Sequence, residues 1–161
     1  MATPAIDSEV RLRAGNSEDL DDVMDVMDAA FGSRFGEAWT RSQCAGILPM
    51  TGVCLIVARE PASANVIGFS LTRTVAGESE LLLLAVLPKH HRRGIGGRLL
   101  DDFMQRASDE GVSRVHLEVR DGNPAVQMYR SAGFRAVGRR RNYYRAADGT
   151  RFDALTFARE L

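Results

Sequence analysis

The apolar positions change period along the chain, and the changes mark out the elements. Residues 10–13 alternate apolar and polar side chains and predict a short first strand. From Leu20 the period becomes helical, with Leu20, Val23, Met24, Met27 and Phe31 recurring at three- and four-residue steps. Asn16 or Ser17 is the expected cap, and Glu18 and Asp19 sit at the positive end of that helix. Gly32 to Gly36 breaks the pattern, and residues 38–48 predict a second, weaker helix ending near Pro49. Three strands are expected in succession at 53–59, 66–75 and 80–86, with turn residues at 60–65 and 76–79 between them. Residues 81–86 carry no polar side chain, as a strand covered on both faces would. A strong helix over 96–110 presents Leu99, Leu100, Phe103, Met104 and Ala107 on one face and stops at Gly111. Residues 115–119 predict another buried strand, and 124–132 a short helix with Pro124 in its first turn and Gly133 past its end. Residues 134–145 and 152–160 predict a final hairpin across Asp148-Gly149. The expected order is β-α-α-β-β-β-α-β-α-β-β, an α/β mixed sheet. No repeat or linker interrupts it, so one domain over residues 1–161 is expected.

Composition narrows the function. A chain of 161 residues can bury a core without disulfides. Lys+Arg and Asp+Glu both number 21, so a global electrostatic grip on nucleic acid or an anionic membrane is disfavoured and any anion site must be local. Cys44 and Cys54 match no metal-ligand spacing and read as buried thiols in a reducing compartment; no metal is expected. Residues 1–9 lack the apolar stretch of a secretory signal, and the longest apolar run, 81–87, is far too short to span a bilayer. A cytoplasmic protein is expected.

The candidate chemistry begins at His91-Arg92-Arg93-Gly94-Ile95-Gly96-Gly97-Arg98, which joins a buried strand to a helix. A helix start leaves N–H groups unpaired and carries partial positive charge. Glycines let a bulky anion approach that backbone, and Arg92, Arg93 and Arg98 add charge, which together make a pyrophosphate cradle. A tight turn with a solvated basic cluster is the plainer alternative. The loop is neither a Walker A sequence nor a G-x-G-x-x-G fingerprint.

Arg92-Arg93-Gly94-Ile95-Gly96-Gly97 resembles the R/Q-x-x-G-x-G/A signature of the GNAT N-acetyltransferase superfamily, in the strand–loop–helix context that signature requires. The resemblance implies the acyl-CoA N-acyltransferase fold, with acetyl-CoA as co-substrate and its pyrophosphate on the loop amides. It implies that Leu84, Ala85 and Val86 offer backbone groups to the pantetheine arm and the acetyl carbonyl, with an N–H near Ala85–Val86 stabilising the oxyanion. Asn123 and Tyr129, within Asn-Pro-Ala-Val-Gln-Met-Tyr, match that family's later coenzyme A motif.

Leu117-Glu118-Val119-Arg120 and Arg140-Arg141-Asn142-Tyr143-Tyr144 are similar to the RimI-like branch, which acetylates the N-terminal alanine of a small-subunit ribosomal protein. That likeness covers roughly residues 78–161. The branch's Pro-Trp-Ser-Glu turn is absent, with Gly36-Glu37-Ala38-Trp39-Thr40 near its place, and Leu83 stands where the branch commonly has Asn.

An amine must be neutral to attack a thioester, and a carboxylate can take its proton directly or through water. Glu118, in an otherwise apolar strand, is the candidate base, and the resemblance assigns it that role. The plainer alternative is a strand glutamate paired with Arg120 or Arg114. Tyr129 is the candidate acid for the leaving thiolate, the role the resemblance implies, or a helix tyrosine packing its ring on the core. Tyr143 and Tyr144 read either as binders of the acceptor's first residues or as aromatic packing across strands. The Arg139-Arg140-Arg141 run should alternate faces and form no single basic patch. Neither cysteine has a nearby histidine, so direct transfer is expected over an acyl-enzyme.

The acceptor expected is a protein N-terminal α-amine, on a ribosomal protein as the resemblance implies, with no direct nucleic-acid or membrane partner. A small-molecule amine acetyltransferase and a coenzyme A-binding module without turnover share the fold.

Overall fold

The computed structural model describes residues 10–161; residues 1–9, which bear on the signal-sequence reading, lie outside the described residues. The elements follow the expected order: β1 (Arg11–Ala14), α1 (Leu20–Phe31), α2 (Arg41–Ile47), β2 (Val53–Arg59), β3 (Val66–Val75), β4 (Glu78–Val86), α3 (Ile95–Asp109), β5 (Arg114–Arg120), α4 (Ala125–Ser131), β6 (Arg135–Arg145) and β7 (Arg151–Glu160). Asn16 caps a short 3-10 turn at Ser17–Asp19 that runs into α1. The second helix starts three residues later than its apolar pattern suggested. Thr40 and Gln43 form a capping box, the Thr40 N–H donating to Gln43 Oε1 at 2.8 Å and the Gln43 N–H to Thr40 Oγ1 at 3.1 Å. Ala38 and Trp39 are thereby left in the loop that follows α1.

The strands form one seven-stranded sheet in the order β1-β2-β3-β4-β5-β7-β6. Every neighbour is antiparallel except β4 and β5, and α3 supplies the crossover that a parallel pair needs. On one side of the sheet, Leu20, Val23, Val26 and Met27 of α1 pack with Phe69, Leu71, Leu83 and Ala85. On the other, Leu100, Phe103 and Ala107 of α3 pack with Leu81, Val115, Leu117 and Phe157, and Ile95 and Leu99 with Ile56 and Ile67. Burying such side chains contributes about 1.5–3 kcal/mol each.

β4 and β5 pair only over Glu78–Leu81 and Arg114–Leu117. Beyond that point each keeps its outer partner, since β3 pairs with β4 as far as Val86 and β7 with β5 as far as Arg120. The sheet therefore opens into a V at its centre. The cause is visible in β4: Leu71 faces Leu83 while Thr72 faces Leu81, so Leu82 is an extra residue in the ladder. A bulge bends and twists its strand, and this one falls one residue past the last β4–β5 pair. It also resets which way β4 side chains point. Leu82 and Leu83 both join the α1 layer, whereas Leu81 and Leu84 join the α3 layer. The uniformly apolar stretch is what lets either residue of the bulge be covered.

At the closed end of the V, His116 sits opposite Glu80 and lies 3.8 Å from its carboxylate and 3.9 Å from that of Glu78. The hydrogen bond the imidazole donates to Glu80 raises its pKa above the ordinary value, against the opposing effect of burial. A raised folded-state pKa adds stability that is fully present below the unfolded value of about 6.5 and is lost as pH rises through the folded value. His116→Gln should therefore lose about 0.2–1 kcal/mol relative to wild type at pH 5.5 and little at pH 9. Urea denaturation at the two pH values measures this, and an equal loss at both would assign His116 a purely packing role.

Candidate functional site

The V between β4 and β5 is where the two layers of the molecule meet, and the sequence motifs converge on it. At its α3 side, Gly94 adopts a left-handed conformation (φ 75°) and no side chain caps α3. The Arg98 N–H donates to the Gly94 carbonyl at 3.0 Å and opens the helical ladder, and among the described residues no side chain caps the first-turn N–H groups before it. A Cβ on Gly97 would meet nothing within 4 Å, so this turn is open to an incoming group. A Cβ on Gly96 would lie 3.3 Å from Met128 Sδ and 3.8 Å from Leu84 and Val86. Gly96 thus permits α3 to approach α4 and β4, a packing role that the glycine pattern alone did not distinguish from ligand access.

The arginines of this loop have different tasks. Arg93 binds His90 Nδ1 and lies 3.9 Å from Glu60. Burial lowers the His90 pKa, and the neutral ring suits accepting from a guanidinium. Arg98 donates to the Val10 carbonyl at 2.8 Å. Arg92 is exposed and takes positive φ (64°). Two of the three expected phosphate-facing charges therefore also tie the loop to the body of the protein.

On the other arm, β5 alternates cleanly. Val115, Leu117 and Val119 enter the α3 layer, which turns Glu118 and Arg120 toward the α1 layer. The Glu118 side chain is only 10% exposed. Its Oε1 pairs with Arg140 Nε at 2.9 Å, and Thr156 Oγ1 donates to its Oε2 at 2.8 Å. The partners expected from sequence, Arg120 and Arg114, are elsewhere, on Glu37 and Glu160. Backbone register explains this, because Thr156 stands opposite Glu118 on β7 and Arg140 opposite Ala154, the next residue on the same face.

Tyr129 packs its ring edge-on to Phe134 within the α3-side core. Burial, with the Glu37 charge, pushes its phenol pKa well up, so the hydroxyl stays protonated. Tyr144 donates its hydroxyl to the Glu118 carbonyl at 3.3 Å. Its pKa too is pushed up, by burial and then by Glu37, Tyr143, Glu118 and Tyr129. The Glu37 charge thus acts on the phenols of both α4 and β6.

Glu37 is the member that sequence reasoning missed. Gly36, at φ 72°, passes so close to β6 that a Cβ there would sit 1.9 Å from the Arg145 carbonyl oxygen. Phe35 meets Phe152 edge-on at 5.2 Å, and the Arg120 guanidinium lies 3.6 Å from the centre of the Phe35 ring. Glu37 is held by Arg120 Nε at 3.1 Å, with both side chains 9% exposed, and accepts from Asn123 Nδ2 at 2.6 Å. Asn123 Oδ1 in turn accepts from the Ala125 N–H at 2.8 Å. Asn123, expected to touch coenzyme A, therefore has both ends of its amide engaged in fixing the start of α4 and the loop after α1.

β6 carries a second bulge. Arg140 faces Ala154 and Tyr144 faces Phe152, so three residues of β6 oppose Asp153 alone. Asn142 takes φ 55°, and its N–H donates to Asp153 Oδ1 at 2.9 Å. Arg139 bridges Asp153 and Asp121 at 2.9 and 2.8 Å. Arg139 and Arg140 thus engage different partners on opposite faces, as the alternation predicted. The bulge turns Tyr143 (49% exposed) edge-on to Tyr144 at 4.9 Å. The aromatic contact is between chain neighbours, not across strands.

Among the described residues no cluster of His, Cys, Asp or Glu could hold a metal ion, and no helix is long and apolar enough to cross a membrane. Cys44 is buried and Cys54 partly so; both are free thiols.

The family model described as Acetyltransferase (GNAT) family matches residues 20–134. The chain is 40% identical over 91 residues to the Escherichia coli K12 protein named [ribosomal protein bS18]-alanine N-acetyltransferase, a match covering 56% of this chain and 61% of that protein. It is 44% identical over 91 residues to a Mycobacterium tuberculosis protein named N-alpha-acetyltransferase RimI, covering 56% of this chain and 54% of that one. The matches therefore span less than two thirds of these relatives. Over the whole structure, the crystal structure of the ribosomal-protein-S18-alanine N-acetyltransferase from Escherichia coli superposes with a TM-score of 0.83 at 27% identity, covering 94% of this chain and 93% of that one.

Removing one partner of a buried ion pair leaves the other charge uncompensated. Glu37→Ala should therefore destabilise the fold by about 3–5 kcal/mol, read as a shift in the urea midpoint. A change below about 1 kcal/mol would show that solvent reaches Arg120 freely once Glu37 is gone.

Proposed function

The chain belongs to the acetyltransferase (GNAT) family, and we propose that it transfers acetyl from acetyl-CoA directly to the N-terminal α-amine of a protein, a ribosomal protein being the acceptor that the Escherichia coli relative's name gives. The observation that carries this reading is the nearly buried Glu118 carboxylate on β5, with the Tyr144 hydroxyl on its backbone carbonyl and the Tyr143 ring against Tyr144.

Acetyl-CoA supplies an activated thioester. The uncapped first turn of α3, with Gly97 open beside it and Arg92 exposed, suits its pyrophosphate. The backbone of Arg93, Gly94, Ile95, Gly96 and Gly97 follows that anion, and Arg93 and Arg98 hold the loop in shape. Where β4 has parted from β5, those backbone groups of Leu84, Ala85 and Val86 that do not bond β3 are left toward the gap, apart from the Val86 carbonyl, which lies 2.9 Å from His91 Nε2. These suit the amides of the pantetheine arm, and an N–H there suits the charge that develops on the acetyl oxygen.

Glu118 is the base. Its two oxygens are positioned by Arg140 and Thr156, and it takes a proton from the acceptor directly or through water. Tyr129 is the acid: it keeps its proton at neutral pH and can give it to the leaving sulfur. Asn123 acts on this step by fixing the start of the helix that carries Tyr129. Tyr143 and Tyr144 border the acceptor side, where two phenols can meet the N–H and C=O groups of a peptide. An α-amine, with a pKa of roughly 7.7–8.0, needs far less help than a lysine at about 10.4. A site with a single carboxylate base therefore favours the former.

The anion cradle has a direct test. Gly97→Asp puts a carboxylate in the first turn of α3, where it favours the helix dipole but repels a phosphate. Acetyl-CoA affinity by calorimetry should fall more than about tenfold while the urea midpoint holds or rises. Unchanged affinity would move the pyrophosphate elsewhere.

The acceptor reading is tested by kcat/KM for an Ala-starting peptide, its N-acetylated Lys-containing analogue and spermidine. The free α-amine should be preferred, and Glu118→Gln should lower its kcat by about 10²–10⁴-fold. Preference for spermidine would make the protein a small-amine acetyltransferase, and preference for the blocked peptide would make lysine the acceptor.

A further inference from the structure

The base of the proposed reaction is covered. Glu118 is 10% exposed, and the group between its carboxylate and solvent is the guanidinium of Arg140, whose own side chain is 61% exposed. The other donor to Glu118, Thr156, is neutral and sits on the strand paired directly with β5. Arg140 instead comes from β6, the outermost strand of the sheet on that side, immediately before the bulge at 141–143. The neighbouring cations have other carboxylates: Arg120 holds Glu37, and Arg139 holds Asp121 and Asp153.

We propose that Arg140 is a stand-in for the acceptor cation: it occupies Glu118 until a protonated primary amine displaces it, and so restricts the site to acceptors that arrive charged.

A nearly buried carboxylate is best satisfied with a donor on each oxygen; Thr156 meets Oε2 alone, and Arg140 completes the set on Oε1 while the site waits. An ion pair whose cationic member is mostly in solvent contributes little, so the cover is cheap to lift. An alkylammonium offers the same charge and hydrogen-bond donors as the guanidinium it replaces, so Glu118 stays paired throughout the exchange. While paired with Glu118 the guanidinium already lies with its Cζ 5.5 Å from the centre of the Tyr143 ring, a contact it can keep when displaced. An acceptor that arrives neutral, such as an aromatic amine or an alcohol, offers no charge in return. Once the ammonium is seated, the proton passes from its nitrogen to Glu118, and the amine is left neutral beside the thioester.

This rests on Glu118 being the base, so the test has one arm in turnover and one without it. Arg140→Met keeps the aliphatic stem and removes the cation, while Arg140→Lys keeps a cation. For whichever amine the wild type acetylates, Arg140→Met should lower KM by about 1.5–5-fold, an effect borne by KM rather than kcat, and Arg140→Lys should resemble the wild type. A raised KM in Arg140→Met would overturn the proposal and make Arg140 a binder of the acceptor. The second arm is thermal unfolding of Arg140→Ala with methylguanidinium chloride against an equal concentration of sodium chloride. Methylguanidinium should raise the Tm of Arg140→Ala but not that of the wild type or of Arg140→Ala combined with Glu118→Gln. No rise in the single variant, or an equal rise in all three proteins, would overturn it. A preference for spermidine or lysine would revise the acceptor and leave both arms standing.

Discussion

Two parallel strands that share four residue pairs and then diverge leave backbone N–H and C=O groups that the sheet does not satisfy. Such groups must find partners, and a binding cleft at the centre of a sheet is one outcome. In this protein the divergence of β4 from β5 is prepared by a single extra residue, Leu82, beyond the last shared pair. Everything placed around the site depends on that opening. α3 starts at its edge, β5 carries Glu118 along its other arm, and α4 delivers the Tyr129 hydroxyl from the opposite layer.

The opening also sets an electrostatic problem. Glu37, Glu118 and Arg120 are nearly buried, and a buried charge is tolerated only when it is paired and hydrogen-bonded. The solution divides the charges by task. Arg120 and Asn123 satisfy Glu37 in a closed set that ties the loop after α1 to the start of α4. Glu118 is satisfied by one neutral donor from inside and one cation from outside. The first arrangement is rigid because both partners are buried. The second can open because one partner is in water.

The hairpin of β6 and β7 links the two. Asp153 pins the bulge through the Asn142 N–H and, with Asp121, holds Arg139. The backbone bond from Asn142 is the leading cause that depresses the Asp153 pKa, so the carboxylate stays charged where the bulge needs it. The bulge aims Tyr144 inward and leaves Tyr143 facing out. A hairpin without the extra residues would keep strict alternation and could not set Tyr143 and Tyr144 edge to edge.

The sequence by itself determined the element order, the two helical stripes and the strand–glycine loop–helix unit. Each of these is a local periodicity or turn chemistry that survives any tertiary arrangement. It also carried Glu118, Tyr129, Tyr143 and Tyr144 as candidates, through the oddity of a charge in an apolar strand and through short motifs. The parting of β4 and β5 was not legible, because Leu81 to Val86 is apolar throughout and a bulge leaves no mark in a stretch without alternation. Glu37 lay between the Gly32–Gly36 break and the predicted helix at 38–48, noted only as standing near an absent turn of the branch, and its partner Arg120 is 83 positions away. The pairing of Glu118 with Arg140 instead of Arg120 or Arg114 likewise followed from which residues the β5–β7–β6 register sets on one face. Register and long-range ion pairs are decided by how whole strands fit together, and only the tertiary structure holds that information.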